Sequence, residues 1–167
     1  MFMSENDFQK LIKENPNLAK SYLADEASQK KNKYKNVKLY EYSDGMISEK
    51  KDLCGHGRIC AVYDSEKEYK RWTQLQILEK AGEISNLERQ KVLLIQKAFI
   101  YSDLSGEYKV GSITYKADYF YEKDGKCFVE DVKPFDRKTQ KYRLTKDFVL
   151  KWKLLMYKYP SFQFVII

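Results

Sequence analysis

The sequence predicts an α/β fold in which a mixed central sheet is flanked by helices. Apolar residues recur at helical spacing in three segments and form strand-like segments in five others, and the last of these strands follows a long helix. A strand reached through a helical crossover lies parallel to its partner, so parallel and antiparallel pairs should share one sheet. With 43% hydrophobic residues in 167, the chain can bury one substantial core.

The first part of the chain is predicted to be helical and then irregular. Residues 7–29 carry apolar residues at helical spacing, interrupted by Asn-Pro-Asn at 15–17. A basic, polar stretch at 29–36 follows and is expected to be an exposed linker. Residues 37–42 alternate like a short strand, and 43–61 are predicted to be loop because they contain three glycines and mixed charge.

The clearest helix is predicted at residues 65–81. Ser65 fits the N-cap, Glu68 three residues later completes a capping box, and Gly82 is a typical helix stop. Its buried side is expected to consist of Trp72, Leu75, Ile77 and Leu78.

Three strands are predicted next. Residues 91–101 have a strongly apolar middle. Residues 112–122 and 126–133 should pair as a hairpin, because Asp-Gly at 124–125 is a strong signal for a two-residue turn.

A long basic helix is predicted to begin at residue 139 or 140 and to stop before Pro160, and residues 162–167 should close the sheet as a buried strand. These elements divide the chain into an N-terminal helical extension at 1–31 and one α/β domain at 32–167.

Composition favours a polyanionic partner in a reducing compartment. The net charge is +7 and the pI is about 9.1, although a basic surface without a specific partner is the open alternative. Three widely spread cysteines do not suggest a disulfide framework. Residues 4–13 are too polar for a signal peptide, and no apolar run approaches the roughly 20 residues that span a bilayer. We therefore expect a cytoplasmic protein without a membrane partner.

Charged residues crowd the end of the strand at 126–133. Because side chains alternate along a strand, Asp131 and Lys133 should share one face, while Glu130 points to the other. Asp118, on the neighbouring hairpin strand, can lie beside the same end. Carboxylate oxygens at a partly open site suit Mg²⁺ or Mn²⁺, and a nearby lysine can orient water or neutralise transition-state charge. This is the chemistry of phosphodiester hydrolysis.

A third carboxylate is available on the predicted helix. Glu68, Trp72 and Leu75 have the spacing i, i+4, i+7, so Glu68 begins the stripe that should face the sheet. The alternative is that Glu68 only completes the capping box, and both roles are compatible.

Basic residues follow the strand that ends at Lys133. The six that could track a phosphate backbone are Lys133, Arg137, Lys138, Lys141, Arg143 and Lys146. The alternative is a solvated helix face. Phe135 and Tyr142 among them could stack on bases or simply pack.

Lys151 interrupts an apolar stripe on the last predicted helix. It falls in register with Leu144, Phe148 and Leu155, where an apolar residue is expected. Snorkelling past these neighbours is favoured, and reaching the active site to contact nucleic acid is the alternative.

A zinc site is the rival interpretation. Cys54, His56 and Cys60 lie close together and could combine with Cys127, but their spacing matches no standard finger or knuckle. A flexible loop with free thiols is favoured.

The ordered set of an acidic helix residue, an Asp on one strand and Asp-x-Lys on the next resembles the PD-(D/E)xK nuclease superfamily. Several longer sequence segments are similar to a largely phage-encoded branch of this superfamily. They are NKYKN, YDSEKEYKRWTQLQILEKAGEISNLERQ, ADYFY, VEDVK and YRLTKDFVLKWKLLMYKYP. The resemblance spans residues 32–167 and implies a restriction-endonuclease-like αβββαβ core.

The resemblance also implies a site and an activity. Glu68, Asp118 and Asp131 would be metal ligands for Mg²⁺ or Mn²⁺, and Lys133 the catalytic lysine. Two positions depart from the usual pattern, since Ala117 replaces the motif's proline and Asp131 its more common Glu.

The implied protein is a DNA endonuclease of phage or prophage origin that processes or recombines DNA in the cytoplasm of a bacterial host. The structure of its DNA substrate is left open, and branched DNA is one candidate. A homodimer would suit paired cuts, although the sequence carries no dimer signature. The alternative is a non-catalytic DNA-binding or regulatory phage protein on the same fold.

Overall fold

The computed structural model describes residues 37–51 and 55–167. These residues form thirteen strands and two helices. The chain divides into two compact units at residues 1–77 and 78–167, and each is described by itself. Within the described residues, neither helix has the length and apolar character needed to cross a membrane. The helix and linker predicted at 7–36 lie outside the described residues, and the extension at 1–31 stays a prediction.

The first unit contains a small antiparallel sheet. Its elements are β1 (Leu39–Tyr42), β2 (Ile47–Ser48) and β3 (Ile59–Tyr63), followed by the start of α1 (Glu66–Lys80). The sheet order is β2-β1-β3. The strand predicted at 37–42 is confirmed, but the loop predicted at 43–61 is wrong in part. Tyr63, at the end of β3, is completely buried, and its hydroxyl donates to Glu41 at 2.6 Å. Tertiary packing therefore stabilises a strand in a segment whose glycines predicted a loop.

Helix α1 has the predicted caps at both ends. The Glu68 N–H donates to Ser65 Oγ at 3.2 Å, and the Glu68 carboxylate accepts the Asp64 N–H at 3.1 Å. At the other end Gly82 has a φ of 76°, and its N–H donates to Glu79 C=O at 3.0 Å. This left-handed glycine ends the helix because it turns the chain away while satisfying a terminal carbonyl.

The second unit is built mainly from strands. In chain order its further elements are β4 (Ser85–Arg89), β5 (Val92–Gln96), β6 (Phe99–Asp103), β7 (Gly106–Val110), β8 (Ile113–Lys116), β9 (Tyr119–Lys123), β10 (Lys126–Asp131), β11 (Phe135–Asp136), β12 (Lys141–Tyr142), α2 (Lys146–Lys158) and β13 (Gln163–Ile166).

The main sheet is mixed, as predicted. Its order is β13-β10-β9-β4, with β13 parallel to β10 and the other pairs antiparallel. The turn between β9 and β10 is also confirmed, because Asp124 and Gly125 have φ values of 50° and 70°. Positive φ at both positions matches the right-handed twist of the flanking strands. The finer comparison with a restriction-endonuclease-like core stays a prediction.

Two predicted strands are each broken in the structure. The strand predicted at 91–101 is two strands, because β5 ends at Gln96 and β6 turns into a separate hairpin with β7. The strand predicted at 112–122 is interrupted at Ala117 and Asp118, between β8 and β9. In the second segment apolar residues keep recurring at every second position through the break, so periodicity alone does not reveal it. Strands β4 and β7 were not predicted.

The helix predicted from residue 139 or 140 begins later than expected. Thr145 is the N-cap of α2, accepting the Phe148 N–H at 3.2 Å, and residues 135–142 form a short hairpin instead. Gln140 has a φ of 54°, which is left-handed and ends any helix there. The basic residues in this stretch suit a helix by propensity, but the pairing of β11 with β12 overrides it.

Helix α2 packs on one face of the main sheet. The buried cluster contains Leu93, Tyr115, Ala117, Phe120, Val129, Phe148, Trp152 and Leu155. Val129 lies on the same face of β10 as Asp131, so the apolar core leads directly to the charged end of the strand.

Candidate active site

Asp118 lies at the break between β8 and β9, beside the end of β10. Its main chain stays paired there, since its carbonyl accepts the Gln90 N–H at 2.9 Å. Its carboxylate accepts the Val132 N–H at 2.7 Å. The interruption therefore lets the side chain reach across to the strand that carries Asp131 and Lys133.

Asp131 is a buried carboxylate held on both oxygens. Only 2% of it is exposed. Lys133 Nζ donates to Oδ1 and the Tyr115 hydroxyl donates to Oδ2. Such charge-assisted hydrogen bonds compensate a buried carboxylate for the water it has lost, and they fix its orientation.

Lys133 is placed by both its main chain and its side chain. Its N–H donates to the Ile167 carbonyl at 2.9 Å, which continues the parallel pairing beyond β13. Its ammonium lies 4.5 Å from the centre of the Phe148 ring, and 23% of the side chain is exposed. A cation over an aromatic face with partial access to solvent can still meet an incoming anion.

Tyr115 is the site residue that sequence reasoning missed. Its ring packs against Phe148 and Trp152, with centroids 6.2 and 5.8 Å away. Burial raises the pKa of Tyr115, and the negative charge of Asp118 raises it further. The hydroxyl consequently stays protonated and remains a donor to Asp131. Nothing local distinguishes this residue among the 14 tyrosines, so no sequence signal could have found it.

Glu130 points to the opposite face, as predicted, and its side chain is buried there. It is completely buried and accepts a hydrogen bond from the Tyr121 hydroxyl at 2.7 Å. Tyr121 also stacks on Phe128 at a centroid distance of 5.1 Å. Two adjacent carboxylates thus lie on opposite faces of β10, each with a tyrosine hydroxyl as donor.

Glu68 belongs to the first unit, whereas Asp118, Asp131 and Lys133 belong to the second. Its carboxylate takes part in the capping box, with the Ser65 hydroxyl 3.1 Å away. The capping role is confirmed, and the metal-binding role stays a prediction.

The predicted nucleic-acid residues lie on two elements. Arg137, Lys138, Lys141 and Arg143 are all exposed at the β11–β12 hairpin, which is not the helix face considered as the alternative. Lys151 is partly buried on α2, and its Nζ lies 3.4 Å from Asp147. Whether these residues contact DNA stays a prediction.

Within the part of the chain that the structure describes, the residues of the rival zinc site form no metal-binding group. Cys54 lies outside the described residues, and His56 Nδ1 contacts the Asp44 carboxylate at 2.6 Å. Cys60 and Cys127 carry free thiols, and they belong to different units.

The donor types at the end of β10 are those that hard divalent cations prefer. Asp118 and Asp131 offer carboxylate oxygens, and Val132 between them already donates a hydrogen bond to Asp118. Across residues 37–51 and 55–167, no three His, Cys, Asp or Glu side chains cluster as a ready metal site. Mg²⁺ is nevertheless commonly held by one or two carboxylates and completes its shell with water and substrate phosphate.

Comparison with known proteins identifies a family. The family model described as "Protein of unknown function (DUF1064)" matches residues 59–167, which include β10 and every residue of the candidate site. The chain therefore belongs to this family. No curated protein matches the chain.

Proposed function

We propose that this member of the DUF1064 family is a metal-dependent DNA endonuclease of the PD-(D/E)xK type, acting in phage or prophage DNA processing. One observation carries the proposal. Asp131 and Lys133 are neighbours at the end of β10, and the hydrogen bond from the Val132 N–H brings Asp118, from the preceding strand break, to the same strand end. The sequence resemblance assigns the same three residues to metal binding and catalysis.

The two aspartates would hold Mg²⁺ or Mn²⁺. The ion would polarise a phosphoryl oxygen and supply hydroxide from bound water near neutral pH. The protein's part is to hold both carboxylates in a fixed orientation. The Val132 N–H orients Asp118 from the main chain, and the Tyr115 hydroxyl orients Asp131 from the core.

Lys133 would stabilise negative charge on the phosphoryl group. Its ammonium is the partly exposed member of the ion pair, while Asp131 is buried beneath it. A preorganised cation of this kind stabilises charge that develops in the transition state without first having to reorient.

The test is cleavage of linear, nicked, flapped and branched DNA with Mg²⁺ or Mn²⁺. We expect Asp118→Asn and Lys133→Gln each to lower cleavage by at least about a hundredfold. Asp124→Asn is the matched control, because Asp124 is exposed at the β9–β10 turn and asparagine tolerates its positive φ. The control should cut like wild type. Equal cleavage by all four proteins would refute the assignment.

A second candidate is a non-catalytic DNA-binding or regulatory protein. The observation that favours it is that Lys133 and Tyr115 together engage both oxygens of Asp131, as in a purely structural ion pair. Calorimetric titration with Mn²⁺ separates the two. A nuclease should bind the ion with a dependence on Asp118, whereas DNA binding without metal binding would favour the second candidate.

A further inference from the structure

The β11–β12 hairpin combines exposed aromatic rings with cations directly after Lys133. Phe135 pairs with Tyr142, and their rings meet edge to face at 5.1 Å. The two residues remain 42% and 37% exposed. The pairing of the two hairpin strands extends by one residue, since the Arg143 N–H donates to the Pro134 carbonyl at 2.8 Å.

The hairpin tip is ordered by its own hydrogen bonds. Asp136 accepts the Lys138 N–H at 2.9 Å, and the Gln140 amide donates to the Arg137 carbonyl at 2.7 Å. Arg143 lies 3.3 Å from Asp136 and is 68% exposed. Between Pro134 and Leu144 the chain carries four cations and one anion, Asp136. A phosphate backbone would therefore meet a surface of net positive charge on a loop whose main chain is ordered.

Exposed rings beside cations favour one kind of nucleic acid. In a duplex the base faces are covered by stacking, so Phe135 and Tyr142 could contact only edges and sugars there. Unpaired bases offer their faces, and aromatic platforms beside positive grooves are the common means of binding them. We propose that this hairpin binds unpaired nucleotides, so that the substrate is DNA with a single-stranded segment beside the cleaved bond. The inference rests on the proposed function, whose substrate it names.

A second hairpin of the same unit provides a contrast. Tyr101 and Tyr108 of β6–β7 also form an exposed ring pair, with centroids 6.4 Å apart. From Phe99 to Val110, however, the only charged residues are Asp103, Glu107 and Lys109. This hairpin has aromatic faces without the positive charge, and we expect it not to bind DNA.

The experiment is fluorescence anisotropy with EDTA present, so that binding is measured without cleavage. The probes are a labelled single-stranded DNA of about 20 nucleotides, long enough to cover such a site, and the same strand in a blunt duplex. The wild type should prefer the single strand. Phe135→Leu/Tyr142→Leu should weaken single-strand binding about tenfold and leave duplex binding unchanged. The matched control, Tyr101→Leu/Tyr108→Leu, should bind both probes like wild type.

A second variant keeps the rings and removes charge. Arg137→Gln/Lys138→Gln should flatten the slope of log affinity against log salt by about 0.7 for each phosphate that the protein no longer neutralises. It also keeps the inference testable should the leucine variant fail to fold. An unchanged slope, or equal weakening of single-strand binding by both leucine variants, would overturn the inference.

The outcomes separate the inference from the proposed function. Single-strand binding that depends on Phe135 and Tyr142, in a protein that cuts no DNA, would support the inference and refute the nuclease. Cleavage of blunt duplex with no preference for unpaired DNA would support the nuclease and overturn the inference. DNA that is bound in neither form, and cut in no form when Mg²⁺ or Mn²⁺ is supplied, would overturn both.

Discussion

Replacing Tyr115 by Phe tests whether the buried hydroxyl holds Asp131 in place. The change removes one oxygen and keeps the ring, so the packing against Phe148 and Trp152 survives. Asp131 would lose the donor to Oδ2 but keep Lys133 on Oδ1. A carboxylate with 2% exposure cannot recruit water freely in exchange.

The expected destabilisation follows from the charge of the acceptor. Hydrogen bonds to charged groups contribute about 1.5–3 kcal/mol to stability, and we expect Tyr115→Phe to lower the free energy of unfolding by about 2 kcal/mol. With a urea m-value of about 1–3 kcal/mol per molar, the midpoint should fall by about 1 M. That is a large part of the roughly 5–15 kcal/mol by which a domain is stable.

The assay is urea unfolding followed by tryptophan fluorescence in a Trp72→Phe background, in which Trp152 alone reports on the second unit. Tyr157→Phe is the matched control, because Tyr157 is 87% exposed and the same change there should cost less than about 0.5 kcal/mol. A double-mutant cycle with Asp131→Asn should show that the two effects are coupled. If Tyr115→Phe is no more costly than Tyr157→Phe, the hydroxyl does not support Asp131 and the reasoning is refuted.

Two further predictions concern the hairpins. Gly125→Ala should lower stability by about 1–2 kcal/mol in the same urea assay, because its φ is 70° and no neighbouring atom would otherwise obstruct a methyl group. Gly111→Ala, equally open but without a positive φ, should be neutral or slightly stabilising, and equal destabilisation would contradict the turn argument. Hydrogen bonds from the Lys138 N–H and Thr139 N–H, followed by Arg143, hold the pKa of Asp136 below its ordinary 3.8, so the hairpin should lose stability only as pH falls below that value. An NMR titration of the Asp136 carboxyl should therefore give a pKa below 3.8 even in Arg143→Gln. A return of this pKa to 3.8 in the variant would show that the Arg143 side chain was the main cause.

Local signals in the sequence were enough for the features that depend on neighbours along the chain. The capping box of Ser65 and Glu68, the Asp124-Gly125 turn and the shared face of Asp131 and Lys133 are all set by spacing of a few residues. The parallel last strand followed from the helical crossover before it.

Features that depend on distant packing could not be predicted in this way. The break at Ala117 and Asp118 keeps the alternation of a continuous strand, so only its partners at Gln90 and Lys91 reveal it. The start of α2 at Thr145 was hidden because the preceding basic residues suit a helix as well as a hairpin. The role of Tyr115 could not be predicted because its partner Asp131 lies 16 residues away along the chain.

The two carboxylates of β10 have a consequence for how the strand folds. Glu130 matches Tyr121 on one face of the sheet and Asp131 matches Tyr115 on the other. A slip of one residue would exchange the faces, leaving two buried acids without their donors and the apolar residues between them misplaced. Apolar packing already penalises such a slip, and burying two carboxylates without their donors adds a further cost. The paired phenols thus disfavour slipped alignments of β10 in the sheet.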